Sequence, residues 1–154
     1  MDSMNNSIIQ TFEELSFNAW PAIQTKFYDG WILRFANGYT KRANSINPIY
    51  HSTIELQEKI DFCEKQYNRE NLPTVFKLTR CSQSAKLDRE LEKRGYLFLD
   101  EGSVKFLDMG SYKYQKPIDT IVESEFNENW INGFINCSNI ENDFYKKSLK
   151  EILH

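Results

Sequence analysis

The sequence contains few of the residues that usually build a catalytic or metal site. It has two histidines, His51 and His154, and three widely spaced cysteines, Cys63, Cys81 and Cys137. Neither histidine has a cysteine or carboxylate at the spacing of a zinc motif, so we predict no metal ligands. No Gly-x-Ser-x-Gly elbow occurs, which leaves nucleophilic hydrolysis without support. The odd number of cysteines favours reduced thiols, as in the cytoplasm.

Charge of one sign and long apolar runs are also missing. The net charge is -3, and basic residues are scattered among acidic ones rather than clustered. That distribution argues against a nucleic-acid partner. No apolar run approaches the length of about 20 residues that a membrane span needs, and residues 1–10 lack the order of a signal peptide. We therefore expect a cytoplasmic protein with no nucleic-acid and no membrane partner.

The composition that remains is that of a folded domain. The chain has 154 residues, 40% of them hydrophobic and 14% aromatic. This is enough apolar content for a packed core, in one domain or in one domain and part of another. The alternation of strand-like and helix-like segments predicts an α+β fold with a mixed, mostly antiparallel sheet flanked by helices.

The first third of the chain predicts a helix and a β-hairpin. A capping box at residues 7–10 opens the helix, which should stop ahead of Pro21. Residues 26–28 and 31–36 are two strand-like runs joined by Asp29-Gly30, a pair typical of two-residue hairpin turns. In the second run, Trp31, Leu33 and Phe35 share one face and Arg34 lies on the other, because side chains alternate along a strand.

The remaining predicted elements follow in chain order: a strand over about 41–46 ending before Pro48, a capping box at 52–55, a helix ending near Glu70, a strand at 75–78, a helix closed by Gly95, strands at 96–99 and 104–107, a helix around Trp130 and Phe134, and a last helix capped by 138–141. The strand–helix–strand unit over 41–78 implies a parallel pair within the sheet.

Polar and aromatic residues around the second and third predicted strands form a candidate small-molecule pocket. Arg34, Tyr39, Arg42 and Asn44 lie within eleven residues of one another along the chain. Polar side chains among aromatic ones are typical of such pockets. The alternative is structural: Arg34 would pair with a carboxylate, and Asn44 and Asn47 would satisfy backbone groups at a strand end. The residues alone leave both interpretations open.

Other conspicuous residues have simpler interpretations. Cys63 falls on the apolar face of a predicted helix and should be a core residue. Cys81 follows a strand end with no base nearby, which favours a structural role over a reactive thiol. His51 suits a solvated loop. Trp20 and Trp31 should be core or interface anchors rather than ligand stackers.

Two stretches carry a resemblance to a known family. Residues 18–48, NAWPAIQTKFYDGWILRFANGYTKRANSINP, resemble the N-terminal half of a group of bacterial two-part proteins in the GCN5-related N-acetyltransferase (GNAT) superfamily. The segments VFKLT and LDRELEKRGYLFLD are similar to a strand, helix and following strand of the GNAT fold. In that group a degenerate unit precedes an active one. The resemblance implies a degenerate GNAT-like domain over 1–109, a linker over 110–118, and the opening helices of a second, truncated unit over 119–154.

The phosphate-binding loop of a GNAT enzyme is missing at the expected place. Such enzymes hold the pyrophosphate of acetyl-CoA with a Gln/Arg-x-x-Gly-x-Gly/Ala loop at a helix N-terminus. The corresponding residues 46–55, INPIYHSTIE, contain no glycine, and Pro48 removes a donor. Glu55 and Glu58 add negative charge at the helix start. We therefore expect no cofactor-binding and no catalytic residue in this chain.

The resemblance implies that the chain is the N-terminal portion of a GNAT-type N-acetyltransferase, inactive alone and lacking about 100 residues. Acetyl-CoA and a small-molecule or peptide amine acceptor would belong to the complete protein, with Arg34, Tyr39, Arg42 and Asn44 contacting the acceptor. One alternative is a non-enzymatic module for a small ligand or a protein. Another is a self-sufficient acetyltransferase with an unusual CoA site. The apolar stripe of Trp130 and Phe134 should pack back on the first unit or form a homodimer.

Overall fold

The computed structural model of the protein describes residues 2–80, 84–111, 113 and 124–153. In these parts of the chain the elements are α1 (Asp2–Ala19), β1 (Gln24–Tyr28), β2 (Trp31–Phe35), β3 (Ile46–Pro48), α2 (Leu56–Arg69), α3 (Ser84–Lys93), α4 (Glu128–Cys137) and α5 (Asp143–Leu153), with 3-10 turns at Lys41–Ala43 and Met109–Ser111. The fold is mixed α+β, as predicted.

The three strands form an antiparallel sheet in the order β1-β2-β3. Thr25 lies opposite Arg34, and Ile32 lies between Phe27 on β1 and Asn47 on β3. The predicted hairpin is confirmed. Asp29 and Gly30 join β1 to β2 with φ values of 41° and 80°, the left-handed conformation that a tight hairpin turn requires.

The two faces of the sheet are covered by different helices. The face carrying Trp31, Leu33 and Phe35 packs on α2 and α3, in a core that includes the fully buried Ile60 and Cys63. On the opposite face the guanidinium of Arg34 lies against the Phe17 ring of α1. The predicted alternation of side chains along β2 is therefore confirmed.

Helices α4 and α5 share a core with the loop that follows β2. Ile152 of α5 is buried with Ala36 and Ala43. Ile131 of α4 clusters with Leu149 of α5 and with the partly buried Trp20 and Tyr39. The rings of Trp130 and Phe134 stack on each other with their centres 5.4 Å apart, and the centre of the Phe134 ring lies 6.0 Å from that of Trp20. Phe134 thus packs on Trp20, whereas Trp130 stays 37% exposed; the predicted packing on a first unit or in a homodimer stays a prediction.

The predicted division at 110–118 stays a prediction, because most of that linker lies outside the described residues. Several predicted element ends are confirmed. Helix α1 ends at Ala19, ahead of Pro21, and α2 ends at Arg69. Gly95, with a φ of 85°, closes α3, because glycine adopts that conformation without a steric penalty.

The third predicted strand is present, but its predicted bounds of about 41–46, ending before Pro48, are wrong. Residues Lys41–Ala43 form a 3-10 turn instead, and only Ile46–Pro48 forms β3. The Thr40 side chain accepts a hydrogen bond from Ala43 N, and the Asn44 amide binds backbone groups of the preceding loop. Such local side-chain bonds compete with a strand ladder.

The predicted helix starts are also corrected. Helix α1 begins at Asp2 rather than at the capping box of residues 7–10. Helix α2 begins at Leu56 without a side-chain cap, because the Ser52 hydroxyl binds the Asp29 carbonyl instead. Helix α5 begins at Asp143, where Asn142 Oδ1 accepts from Phe144 N.

Only part of the predicted later sheet is present in the described residues. Phe76 forms a single parallel bridge with Ile46, through Ile46 N to Val75 O at 2.8 Å and Lys77 N to Ile46 O at 2.9 Å. The parallel pairing is therefore confirmed as one bridge. Residues 96–99 and 104–107 form no strands. Strand-like composition gives a strand only where a partner supplies the ladder.

Candidate functional site

The start of α2, where the resemblance would place a phosphate loop, holds a carboxylate of the chain itself. Asp29 Oδ2 accepts hydrogen bonds from Thr53 N and Ile54 N, both at 2.9 Å. Its Oδ1 accepts from the Thr53 hydroxyl at 2.8 Å. These bonds, the one from Ile54 N first, hold the pKa of Asp29 well below its usual range. The backbone N–H groups leading into α2 are therefore already occupied by an anion.

Lys59 fixes that carboxylate from inside the fold. Its side chain is 1% exposed, and Nζ lies 3.1 Å from Asp29 Oδ2. Nζ also donates to the Asp29 carbonyl and to the Ser52 hydroxyl, and lies 4.2 Å from the centre of the Trp31 ring. Burial lowers the pKa of Lys59. All three of its donors have acceptors, which is what makes a buried ammonium tolerable.

Gly30 allows the chain to pass close over the hairpin turn. The backbone carbonyl of Gly30 accepts from Ile49 N and Tyr50 N. A Cβ at Gly30 would lie 2.2 Å from the His51 carbonyl oxygen, so no other residue fits without moving the backbone. This contact brings Thr53 within reach of Asp29.

A groove of about 510 Å³ lies on the opposite face of the sheet, between α1 and the β1–β2 strands. Such a volume falls within the range of small-molecule sites. Most of its lining is apolar, and the remainder is polar or charged; the lining includes Glu14, Phe17, Pro21, Ala22, Thr25, Phe27, Ile32, Arg34 and Tyr50.

Arg34 forms part of this groove, and its side chain is only 1% exposed. Nη1 donates to Arg42 O at 2.7 Å and Nη2 donates to Trp20 O. The guanidinium carbon lies 4.6 Å from the centre of the Phe17 ring. Burial lowers the pKa of Arg34. Within the described residues Arg34 makes no ion pair, although the buried Glu13 carboxylate acts on it electrostatically and opposes the lowering of its pKa.

The four residues predicted to contact the amine acceptor lie near one another, but their side chains have different hydrogen-bond partners and different exposure. Arg42 contributes its carbonyl to Arg34, and its side chain is exposed. Asn44 is buried: its Oδ1 accepts from Ala36 N and Gly38 N and its Nδ2 donates to Thr40 O. Its amide therefore serves the local backbone.

Tyr39 packs between aromatic rings rather than beside Arg34. Its ring centre lies 6.4 Å from that of Trp20 and 5.7 Å from that of Tyr145. Asn47 donates to Ile32 O and Ser45 O, while its Oδ1 is buried with no donor among the described residues. Of the predicted contacts, only Arg34 lines the groove.

Glu14 and Tyr50 form the rim of the groove. The Tyr50 hydroxyl donates to Glu14 Oε1 at 2.6 Å, and this bond raises the pKa of Tyr50 to about 12. Sequence reasoning missed the groove residues of α1, and it treated Asp29 only as a turn residue. The Asp29-Gly30 pair carried a signal for the turn, but nothing local indicates that its carboxylate reaches Thr53.

The remaining candidates have structural roles. Burial raises the pKa of the Cys63 thiol to about 12, which makes it unreactive. His51 is exposed, as predicted for a loop, while Cys81 and His154 lie outside the described residues. Among the described residues no group of three histidine, cysteine or carboxylate side chains could hold a metal. None of the described helices has the length and apolar character of a membrane span.

Comparison with known protein families matches residues 6–98 to the family described as "Probable histone acetyltransferase Rv0428c C-terminal". The match covers more than half of the chain, including the carboxylate at α2 and the whole groove. The chain belongs to this acetyltransferase-related family. The matched region is C-terminal in the protein that names the family, so the match does not support the predicted N-terminal position. No curated protein and no solved structure gave a significant match.

Proposed function

We propose that this chain is a unit of an N-acetyltransferase with a degenerate GNAT-like fold, and that it does not itself hold acetyl-CoA. The observation that carries the proposal is the Asp29 carboxylate, which binds Thr53 N and Ile54 N. A pyrophosphate at that place would have to displace a carboxylate that Lys59 also holds. Glu58 in the first turn of α2 adds further repulsion.

In this proposal acetyl-CoA is bound by another unit of the complete protein, whatever the order of the two units along the chain. The acceptor is an amine on a small molecule or a peptide. The family description names a histone acetyltransferase, so a lysine side chain of a basic protein is one acceptor class. The net charge of -3 is compatible with a basic partner.

Titration of the chain with acetyl-CoA, followed by backbone-amide NMR, tests the proposal. We expect no saturable shift at Thr53 or Ile54 up to millimolar acetyl-CoA. Asp29→Asn, which removes the negative charge while keeping the side-chain shape, should also fail to bind, because residues 46–55 still lack glycine. Saturable shifts of Thr53 and Ile54 in the unmodified chain would overturn the proposal.

The groove between α1 and β1–β2 favours a second function, a non-enzymatic module that binds a small ligand. The groove is large enough for one, with apolar walls and one buried arginine. The two functions are compatible, because the groove and the start of α2 lie on different faces of the sheet.

A further inference from the structure

The groove contains a buried positive charge, Arg34, that forms no ion pair with any carboxylate of the described residues; the Glu13 carboxylate acts on it electrostatically but is itself paired with Lys77. The Arg34 side chain is 1% exposed. A guanidinium stays protonated at any physiological pH, and buried charges are ordinarily paired because desolvation is costly. Here two backbone carbonyls and the Phe17 ring stabilise the cation, but none of them carries a formal negative charge.

The Arg34 guanidinium also has N–H donors that its hydrogen bonds to the described residues do not use. It has five N–H groups, and the hydrogen bonds to the Trp20 and Arg42 carbonyls use two of them. The carbonyls fix the orientation of the planar group. Arg34 is thus prepared to donate further hydrogen bonds at low entropic cost, which is how preorganised sites gain affinity.

The walls around this cation are apolar and partly aromatic. Phe27 is 75% exposed although it lies on β1 beside the groove. Pro21, Ala22 and Ile32 complete an apolar surface. Large aromatic side chains left open to solvent next to a cavity are typical of binding sites.

We propose that the groove binds a small molecule in which one carboxylate is attached to an aromatic or branched apolar body. The carboxylate accepts hydrogen bonds from Arg34, and the body packs against Phe27 and Ile32. This inference rests on the second function proposed above, the small-ligand module, and names its ligand class.

Glu14 sets the charge that the ligand can carry. Its carboxylate lines the same groove and binds the Tyr50 hydroxyl. One positive and one negative side chain in a single groove favour a monoanion over a phosphate or a dicarboxylate, because a second negative charge would meet Glu14 without a cation to balance it.

The test is a backbone-amide NMR titration of the full chain with 3-phenylpropanoate and with its neutral counterpart, 3-phenylpropanamide. We expect the carboxylate to shift the amides of Thr25, Phe27 and Ile32 in a saturable manner. The amide compound should bind at least about tenfold more weakly, since a charge-assisted hydrogen bond is lost. Equal affinities for the two probes, or shifts that do not centre on the groove, would overturn the inference.

Variants test the site without removing the buried arginine. Phe27→Ala, at an exposed side chain, should weaken binding of 3-phenylpropanoate at least about fivefold through loss of an aromatic contact. Glu14→Gln should strengthen it about two- to fivefold by removing a like charge. Arg69→Gln, at the exposed end of α2, is the control and should change nothing. Unchanged binding in Phe27→Ala overturns the inference, whereas acetyl-CoA shifts at Thr53 would overturn only the acetyl-CoA proposal.

Discussion

Replacing Gly30 by alanine should destabilise the chain much more than the same change at Gly95. Both glycines have positive φ, 80° and 85°, so both substitutions carry the backbone penalty of about 1–2 kcal/mol. They differ in surroundings. A Cβ at Gly95 meets nothing within 4 Å, whereas at Gly30 it would lie 2.2 Å from the carbonyl oxygen of His51.

The clash at Gly30 is with backbone, which cannot rotate away as a side chain can. Relieving it requires the loop after β3 to move from the hairpin turn. That movement removes the hydrogen bonds from Ile49 N and Tyr50 N to Gly30 O, at about 1 kcal/mol each. We therefore expect Gly30→Ala to cost about 3–4 kcal/mol in the free energy of unfolding, against about 1–2 for Gly95→Ala.

Urea denaturation followed by circular dichroism measures both variants. With a slope of about 2 kcal/mol per molar urea, the two midpoints should differ by about 1 M. Gly38→Ala, where the Cβ would meet only the flexible Leu72 side chain at 3.1 Å, should fall between them. Equal losses at Gly30 and Gly95 would refute the reasoning that the loop crosses the turn at contact distance.

Three further predictions concern the carboxylate, the groove and the last helix. Because the pKa of Asp29 is lowered in the folded state, its contribution to stability is present above about pH 4 and is lost as the pH falls; the acid dependence of urea midpoints should be weaker in Asp29→Asn. Since the pKa of Tyr50 is raised to about 12, its contribution to stability is present below about pH 10 and is lost as the pH rises towards 12. In Glu14→Gln, the Tyr50 hydroxyl should therefore ionise at lower pH, as measured by ultraviolet titration at 295 nm and corrected with the Tyr50→Phe variant. An unchanged midpoint would refute the hydrogen bond. Ile152→Ala should cost about 2–4 kcal/mol and accelerate amide hydrogen exchange in β2 and α5 together; acceleration confined to α4 and α5 would instead indicate an independent unit.

The hairpin and the helix ends could be predicted because their causes are local. Asp29-Gly30 fixes a turn by its φ values, Pro21 stops α1 and Gly95 closes α3. The bounds predicted for the third strand, about 41–46, were wrong for an equally local reason that pattern reasoning overlooked. The side-chain oxygen of Asn44 accepts hydrogen bonds from backbone N–H groups of its own loop, and these bonds compete with strand pairing.

The candidate site could be predicted only in part, because its contacts join distant segments. Arg34 was identified from its aromatic neighbours along the strand, but the Glu14–Tyr50 bond spans 36 residues. The hydrogen bonds that Thr53 donates to Asp29 span 24 residues. No periodicity or motif encodes such pairs, since they arise from how α1 and α2 pack on opposite faces of the sheet.

The start of α2 and the groove differ in whether the chain supplies its own carboxylate to the groups that could bind an anion. This difference explains how the two proposals fit together. At the start of α2, backbone N–H groups and Lys59 could attract an anion, and the chain supplies one from Asp29. In the groove, Arg34 could equally attract an anion, and its hydrogen-bond acceptors among the described residues are backbone carbonyl oxygens rather than a carboxylate. A covalently attached carboxylate outcompetes a dissolved ligand because it loses little translational freedom on binding. We therefore expect anion binding to be blocked at the start of α2 and available at Arg34, and we would search for a ligand on the α1 face of the sheet.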